Sequence, residues 1–349
     1  MELRTVIAER LQREMQRKGF TPERLAQAAR IPQPVVESYL GGRRELQFSE
    51  LRPLCDALML RLMRLLSANF ANAQLQYRQT GRRDRERAAA IENTFLMVTD
   101  WLPTPLRLPT VRLDDNEDDI AWLLGAVQRV VDPLLRRYET VEALYRAAAL
   151  PVLPIRAGYE SFDSFLMRAE GKSLVCINLD KPTVRIHFSL LHEMAHYLFH
   201  ANADLPIDVL PKLLYDDTVN AEVRPEYIAN KFAQFFLVPF EDAENIVLRW
   251  PRFDLPSDYL SRHRTSSQVL TNAIYDLLRI KSKSGATPQY VEVKAAVEAV
   301  ANEYGGDSDL QVFLEQEGRA LRARLVAHRN EFADQVWASV REAWDIPDA

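Results

Sequence analysis

The sequence predicts a mainly helical α+β fold that is divided into several domains. The chain is 349 residues long, which exceeds the size of one average domain. Apolar residues recur at helical spacing along most of it, and one short β-branched run, residues 173–179 (SLVCINL), reads as a strand. Two stretches break the helical patterns, an acidic segment with several prolines ending at Asp119 and the Ser/Gly/Pro-containing residues 282–288.

These breaks divide the chain into four predicted segments. A helical bundle covers residues 1–70, and a linker helix with a proline-rich acidic loop covers 71–119. Residues 120–281 form a second domain that contains the sheet. Residues 282–349 form a helical C-terminal region of unknown role, for which packing on the second domain or dimer formation is the simplest interpretation.

Composition excludes two broad classes of protein. No apolar run approaches the roughly 20 residues that cross a bilayer, and the N-terminus lacks the pattern of a secretion signal. Two cysteines, Cys55 and Cys176, are too few for a disulfide framework. We therefore expect a cytoplasmic globular protein without a membrane partner.

Charge is distributed unevenly along the chain. Residues 1–87 contain 17 Lys/Arg against 10 Asp/Glu, a balance of +7, so that the overall charge of −5 leaves −12 on residues 88–349. A basic N-terminal part followed by an acidic body indicates that nucleic acid, if bound, contacts one end only.

The N-terminal segment carries five short helical patterns. Val6, Ile7, Leu11 and Met15 repeat at helical spacing, and Leu25, Ala26 and Ala29 form a second apolar face. Thr21 is a predicted N-cap with Pro22 at the first helical position. Gln33–Leu40 is the third pattern, and two more follow from Ser49 to Leu66.

The central part of this segment, residues 25–46 (LAQAARIPQPVVESYLGGRREL), resembles the lambda-repressor-like (XRE) helix-turn-helix family. The resemblance implies a recognition helix at Gln33–Leu40 that enters the major groove of DNA. It places Gln33 near base edges and Arg30, Arg43 and Arg44 near phosphates. A helical bundle used for dimerisation or substrate docking is the alternative.

The strongest chemical motif is His192-Glu193-Met194-Ala195-His196 within an apolar helical pattern. On a helix, His192 and His196 lie on one face, close enough to share one ion. Two imidazoles at about 2.0–2.1 Å suit Zn²⁺, and Glu193 can reach the bound water without coordinating the metal. The motif therefore predicts one zinc ion per chain and metallopeptidase chemistry.

A third protein ligand must come from another part of the chain. His200 lies about 12 Å from His192 along the helix axis at about 1.5 Å per residue, too far to share the ion, and is expected near the site instead. A carboxylate is the usual choice of ligand. Glu226, in the first turn of the next helical pattern, competes with Glu222 and with Asp216 and Asp217.

Residues 184–200 (VRIHFSLLHEMAHYLFH), followed by EYIANKFAQFFLVP from Glu226, resemble the ImmA/IrrE family of zinc peptidases over roughly residues 120–280. The resemblance implies a gluzincin-like domain with His192, His196 and Glu226 as zinc ligands and Glu193 as the catalytic base. It also implies a protein substrate, a helix-turn-helix repressor whose cleavage switches on stress, phage-defence or mobile-element genes. Ser189 replaces the usual Thr, and His187 stands where a second Arg is common.

Several other residues are weaker candidates. Asn230 and His200 are expected around the metal or substrate, and Tyr197, Tyr259 and His263 are possible donors to the oxyanion. Cys176 is either a small buried residue or a thiolate that occupies the open zinc position and holds the enzyme latent. The alternative function is a DNA-binding regulator whose peptidase domain is inactive or senses zinc.

Overall fold

The computed structural model describes residues 20–44, 48–58, 98–106, 120–169, 171–199, 224–281, 288–302, 304–331 and 334–347, together with the single positions 7, 8, 11, 12, 15, 90, 91, 94, 95 and 108. The chain divides into two compact units. Unit 1 comprises Met1–Ala73, Arg85–Trp101 and Leu325–Ala349, and unit 2 comprises Gln74–Asp84 and Leu102–Arg324. None of the described helices combines the length and apolar character needed to cross a bilayer.

Helices dominate both units, which confirms the prediction of a mainly helical chain. In chain order, the elements are α1 (Pro22–Ala29), α2 (Gln33–Leu40), α3 (Phe48–Ala57), a short 3-10 helix (Thr99–Trp101), α4 (Ile120–Tyr138), α5 (Val141–Ala148), β1 (Val152–Ile155), β2 (Ser164–Ala169), β3 (Lys172–Asn178), α6 (Thr183–Phe199), α7 (Arg224–Leu237), α8 (Phe240–Leu248), α9 (Tyr259–Arg262), α10 (Ser267–Lys281), α11 (Tyr290–Glu298), α12 (Ser308–Ala327), a 3-10 turn (Arg329–Glu331) and α13 (Asp334–Ala343).

Unit 1 contains a small bundle around α1, α2 and α3. Thr21 caps α1 as predicted, since its hydroxyl accepts a hydrogen bond from the backbone N–H of Arg24 at 3.2 Å. The predicted apolar faces are buried in one core, which contains Ile7, Leu11, Met15, Leu25, Ala26, Ala29, Val36, Tyr39, Leu40, Leu51, Leu54, Cys55 and Leu58. Val6 and the predicted helix at 60–66 lie outside the described residues.

The sheet of unit 2 has three strands in the order β1-β3-β2. β3 pairs parallel with β1, and antiparallel with β2, where Ser164 is opposite Ile177. The predicted strand at 173–179 is therefore confirmed as the central strand. Its apolar side chains are buried, and α6 packs against β2 and β3. β2 lies at one edge of this sheet.

α6 and α7 pack closely against each other in the core of unit 2. Ala195 on α6 and Ala229 and Ala233 on α7 are fully buried, and their small size lets the two helices approach. α5 holds α6 from another side, where the buried Tyr145 hydroxyl donates to the Leu190 carbonyl at 2.7 Å. These contacts within the protein hold α6, which carries the two histidines, in place.

The C-terminal residues are divided differently from the predicted segments. The sequence treats 282–349 as one region, whereas the structure assigns α11 and most of α12 to unit 2 and α13 to unit 1. In unit 1, the Trp344 indole N–H donates to the Ile91 carbonyl at 3.4 Å, and Trp101 stacks on His328. Most of the predicted linker at 71–119 lies outside the described residues.

α12 packs closely on β1 at a glycine. A Cβ atom at Gly318 would lie 2.6 Å from Cγ of Pro154, a rigid ring within β1. We expect Gly318→Ala to lower the free energy of unfolding by about 1–3 kcal/mol, because the extra methyl group overpacks this contact.

Gly125→Ala is the matched control for this substitution. Gly125 also lies within a helix of unit 2, but its added Cβ would meet only the Arg129 guanidinium at 3.7 Å. Alanine there is expected to stabilise the helix by about 0.5–1 kcal/mol. Chemical denaturation compares the two variants, and a Gly318→Ala protein as stable as the wild type would contradict the close approach.

Candidate metal centre

The two histidines of the motif and one carboxylate converge between α6 and α7. The Nε2 atoms of His192 and His196 lie 3.0 Å apart. Glu226 Oε2 lies 3.2 Å from His192 Nε2, and Glu226 Oε1 lies 3.1 Å from His196 Nε2. Among the described residues, these three form the one cluster of His, Cys, Asp and Glu side chains with metal-site spacing.

Asn230 fixes the orientation of the first imidazole. Its Oδ1 lies 3.1 Å from His192 Nδ1, inside the protein. Because an amide oxygen can only accept, Nδ1 carries the proton and the lone pair of neutral His192 is at Nε2, toward Glu226 and His196. This arrangement is the usual outer contact of a metal-binding histidine.

Glu193 lies beside this cluster, and a residue of the sheet holds its carboxylate in place. The hydroxyl of Ser164 on β2 donates to Glu193 Oε1 at 2.7 Å in a buried position. Arg168, also on β2, donates from its guanidinium to the carbonyl of His196. The edge strand thus positions both the carboxylate and the C-terminal part of α6.

The Glu226 carboxylate supplies negative charge to the cluster. Burial by itself would raise the pKa of Glu226, but the adjacent imidazoles of His192 and His196 outweigh it and lower that pKa well below its usual range. Glu226 is therefore ionised at neutral pH, as a metal ligand must be. Burial also lowers the pKa of Arg168 to about 10, while the nearby Glu193 and Tyr197 act to raise that pKa.

These residues fit zinc by geometry and by chemistry. Tetrahedral zinc with bonds of about 2.0–2.1 Å separates its ligand atoms by about 3.3 Å, and the observed separations are 3.0–3.2 Å. Two imidazoles and one carboxylate are a ligand set of catalytic zinc sites, which leave a fourth position open. The side chain of Glu226 is 22% exposed, so the cluster is accessible from its side.

Asn230 provides a test of this orientation. We expect Asn230→Ala to weaken zinc binding by about 10–100-fold, the usual effect of removing an outer contact of a ligand histidine. Asn230→Asp keeps an acceptor for Nδ1–H and should retain most of the affinity. Competition with a chromophoric chelator measures both, and equal affinities for Asn230→Ala and the wild type would show that Asn230 does not orient His192.

The structure does not bring every predicted residue to the cluster. The Tyr197 hydroxyl donates to the Leu106 carbonyl at 2.9 Å. Tyr259 and His263 both contact Asp242, at 3.3 Å each. The oxyanion role of Tyr259 and His263 stays a prediction.

Cys176 lies within β3, fully buried between the paired residues Leu153 and Phe165. Its sulfur does not belong to the ligand cluster. This packing matches the first of the two interpretations, a small buried residue, and does not place a thiolate at the open metal position. His200, Glu222, Asp216 and Asp217 lie outside the described residues.

The predicted DNA-contacting residues are all in unit 1. Arg30 and Arg43 are exposed, and Arg30 ends α1 in the left-handed conformation with φ of 55°. The Gln33 amide donates to Glu37 at 2.8 Å. Arg44 makes a two-pronged ion pair with Glu50, at 2.7 and 2.6 Å, so its guanidinium is part of the bundle's own framework rather than a freely projecting phosphate contact.

Ser164 and Arg168 are site residues that the sequence did not reveal. Ser164 is 29 positions from Glu193 along the chain, in a segment without a motif of its own. Only the antiparallel pairing of β2 with β3 brings its hydroxyl to α6.

Comparison of the chain with models of protein families, with characterised proteins and with solved structures found no match.

Proposed function

We propose that this chain is a cytoplasmic zinc endopeptidase that regulates transcription by site-specific cleavage of a helix-turn-helix repressor. The observation that carries the proposal is the convergence of His192, His196 and Glu226 next to the carboxylate of Glu193. The resemblance to the ImmA/IrrE peptidases adds the class of substrate. In this interpretation, unit 2 is a zincin-like domain and α6 is its active helix.

The residues of the centre divide the chemistry among them. His192, His196 and Glu226 would hold a zinc ion, which when bound would supply a Lewis acid for a peptide carbonyl and lower the pKa of water toward about 7. Glu193 accepts a proton from the attacking water and then delivers it to the nitrogen of the leaving amine. Ser164 keeps the Glu193 carboxylate in place during both transfers by donating to Oε1.

The edge strand offers a place for an extended substrate. Within the described sheet, β2 pairs with β3 alone, so a peptide can add to its other edge through backbone hydrogen bonds. Both Ser164 and Arg168, which contact α6, belong to this strand. A peptide bound there would pass beside Glu193, which explains how an unfolded segment of a protein could be presented to the centre.

Unit 1 has a separate proposed role in binding DNA. The succession of α1 and α2, joined at Arg30–Pro32, is consistent with the helix-turn-helix resemblance, and Arg30 and Arg43 are exposed beside α2. The second candidate function rests on this unit: a DNA-binding regulator whose metal centre senses zinc without cleaving a substrate. Identical repression by the wild type and by Glu193→Gln in cells would favour that candidate.

The direct test uses a repressor as substrate. Zinc-loaded protein is incubated with each small helix-turn-helix protein that genome sequencing finds encoded beside its gene, and the products are identified by mass spectrometry. We expect cleavage at one site, loss of cleavage with a chelator, and recovery when zinc is returned. An intact repressor after incubation with equimolar zinc-loaded protein would count against this substrate class.

A further inference from the structure

A buried ion-pair cluster lies where the chain enters β2, one residue before the serine that contacts Glu193. Asp163 is at its centre, and the Asp163 side chain is only 5% exposed. Arg185 Nε donates to Asp163 Oδ2 at 2.7 Å, and Lys181 Nζ lies 3.1 Å from Asp163 Oδ1. Lys181 lacks the alignment of a hydrogen bond to Oδ1. It therefore contributes charge to the cluster, whereas Arg185 contributes a directional contact.

The contact between Asp163 and Arg185 joins the start of β2 to the first turn of α6. The next residue of the chain, Ser164, contacts the same helix at Glu193. Arg168 follows with its contact to the backbone carbonyl near the end of that helix. The chain therefore contacts α6 at three points along β2, and the first of them involves neither a metal-site residue nor Glu193.

Lys181 extends the cluster into the loop that precedes β2. Its ammonium group donates to the Tyr159 carbonyl and lies 5.4 Å from the centre of the Tyr159 ring. Asn178, fully buried at the end of β3, holds the same loop by donating to the Phe162 carbonyl at 2.9 Å. The loop is thereby attached to β3 and to the turn before α6, which gives Asp163 a fixed position next to α6.

The position of the Glu193 carboxylate depends on this attachment. A serine side chain is short, so its hydroxyl reaches Glu193 only when the backbone at Ser164 is held at one distance from α6. Asp163 fixes the backbone one residue earlier, about 3.8 Å away along the chain. The three clustered metal-site residues belong to α6 and α7 and include no residue of β2. Loss of the contact between Asp163 and Arg185 would therefore displace Ser164 while leaving that cluster in place.

We infer that Asp163 is a positioning residue for the proposed general base. The inference rests on the proposed peptidase function and adds a residue that controls the orientation of Glu193. Asp163 acts through its neighbour, because its pairing with Arg185 keeps the Ser164 hydroxyl on Glu193 Oε1. Loss of this pairing lowers the maximal rate of cleavage and leaves substrate binding and zinc content unchanged.

A double-mutant cycle between Arg185→Gln and Ser164→Ala tests this role. The Arg185 side chain is 53% exposed, and Lys181 still neutralises Asp163 without it, so the variant should fold. Each single substitution is expected to lower the maximal single-turnover rate of repressor cleavage about tenfold, less than the roughly 100-fold that a displacement of about 1 Å can cost. The double variant should be no slower than the slower single variant, because both changes remove the same contact to Glu193. The protein concentration that gives half the maximal rate should not change.

Urea unfolding of the same four proteins measures this coupling without substrate or metal. Ser164→Ala is expected to raise the unfolding equilibrium constant of the wild type about tenfold, the usual effect of losing a hydrogen bond to a charged group. In the Arg185→Gln background the same change should raise it less than about threefold. A role of Asp163 in packing alone predicts equal factors in both backgrounds.

Arg262→Gln is the matched control for Arg185→Gln. The Arg262 side chain is 57% exposed and pairs with Asp258 at 2.8 Å in unit 2, a contact that involves no residue of β2 or α6. This variant should cleave at the wild-type rate, and Ser164→Ala should have its full effect in that background. Asp163→Asn tests the other partner of the contact and should show the same coupling to Ser164→Ala as Arg185→Gln.

The outcomes separate the two proposals. Effects of Arg185→Gln and Ser164→Ala that multiply in the cleavage rate would overturn the positioning role and leave the peptidase function intact. Equal losses in Arg262→Gln and Arg185→Gln would also overturn it. In a protein that cleaves no repressor, coupled unfolding constants would support the Asp163 contact while contradicting the peptidase function, and uncoupled ones would overturn both.

Discussion

Replacing Glu193 with glutamine is expected to lower the rate of repressor cleavage by about a thousandfold, within the usual contribution of about 10²–10⁴ for general acid–base catalysis. Glutamine has nearly the same shape, and its amide oxygen can still accept the hydrogen bond from Ser164. It cannot take a proton from water at neutral pH. Single-turnover cleavage with excess protein measures the chemical step without interference from product release.

Two comparisons show whether this loss is chemical. Glu193→Gln should bind as much zinc as the wild type, because Glu193 is not one of the three converging ligands. Glu241→Gln removes an exposed carboxylate from the same unit and should cleave at the wild-type rate. Cleavage by Glu193→Gln within a factor of about three of the wild type would rule out its role as the base, since even weak general-base catalysis contributes about a hundredfold.

Replacing Glu226 with glutamine is expected to weaken zinc binding by more than about 100-fold. Loss of an outer contact alone costs about 10–100-fold, and in the proposed site Glu226 supplies both a direct ligand atom and the negative charge of the set. A neutral amide oxygen also coordinates zinc more weakly than a carboxylate. Competition titration against a chelator of known affinity measures the change.

Glu244→Gln is the matched control for this second substitution. Glu244 is half-exposed and contacts Lys281 at 3.5 Å on the surface of unit 2. It should bind zinc as tightly as the wild type. Equal affinity of Glu226→Gln and Glu244→Gln would mean that the third ligand is another residue, such as Glu222 or one of Asp216 and Asp217.

The two histidines could be predicted from sequence because helix geometry alone determines the relative position of their side chains. Residues four positions apart on a helix lie on one face, and the apolar residues around them indicate a helix without further information. From the sequence, Glu226 is one of several candidates for the third ligand. Its position depends on the packing of α7 against α6 through Ala229 and Ala233, a tertiary contact that spacing does not specify.

The contacts of Ser164 and Asp276 could not be predicted from sequence, because both depend on tertiary structure. Ser164 reaches Glu193 only through the register of β2 on β3. Asp276 meets Lys231 across 45 positions of the chain, so neither residue is marked by a local pattern. The mainly helical character could be predicted from periodicity, whereas the division of α12 between the two units could not, because it depends on long-range packing.

We propose that this chain binds one zinc ion through His192, His196 and Glu226. Elemental analysis of protein purified without chelators, after equilibration with one equivalent of zinc, tests it directly. We expect about one zinc per chain for the wild type and almost none for the His192→Ala, His196→Ala double variant. Wild-type protein that retains no more zinc than a folded double variant would contradict the claim.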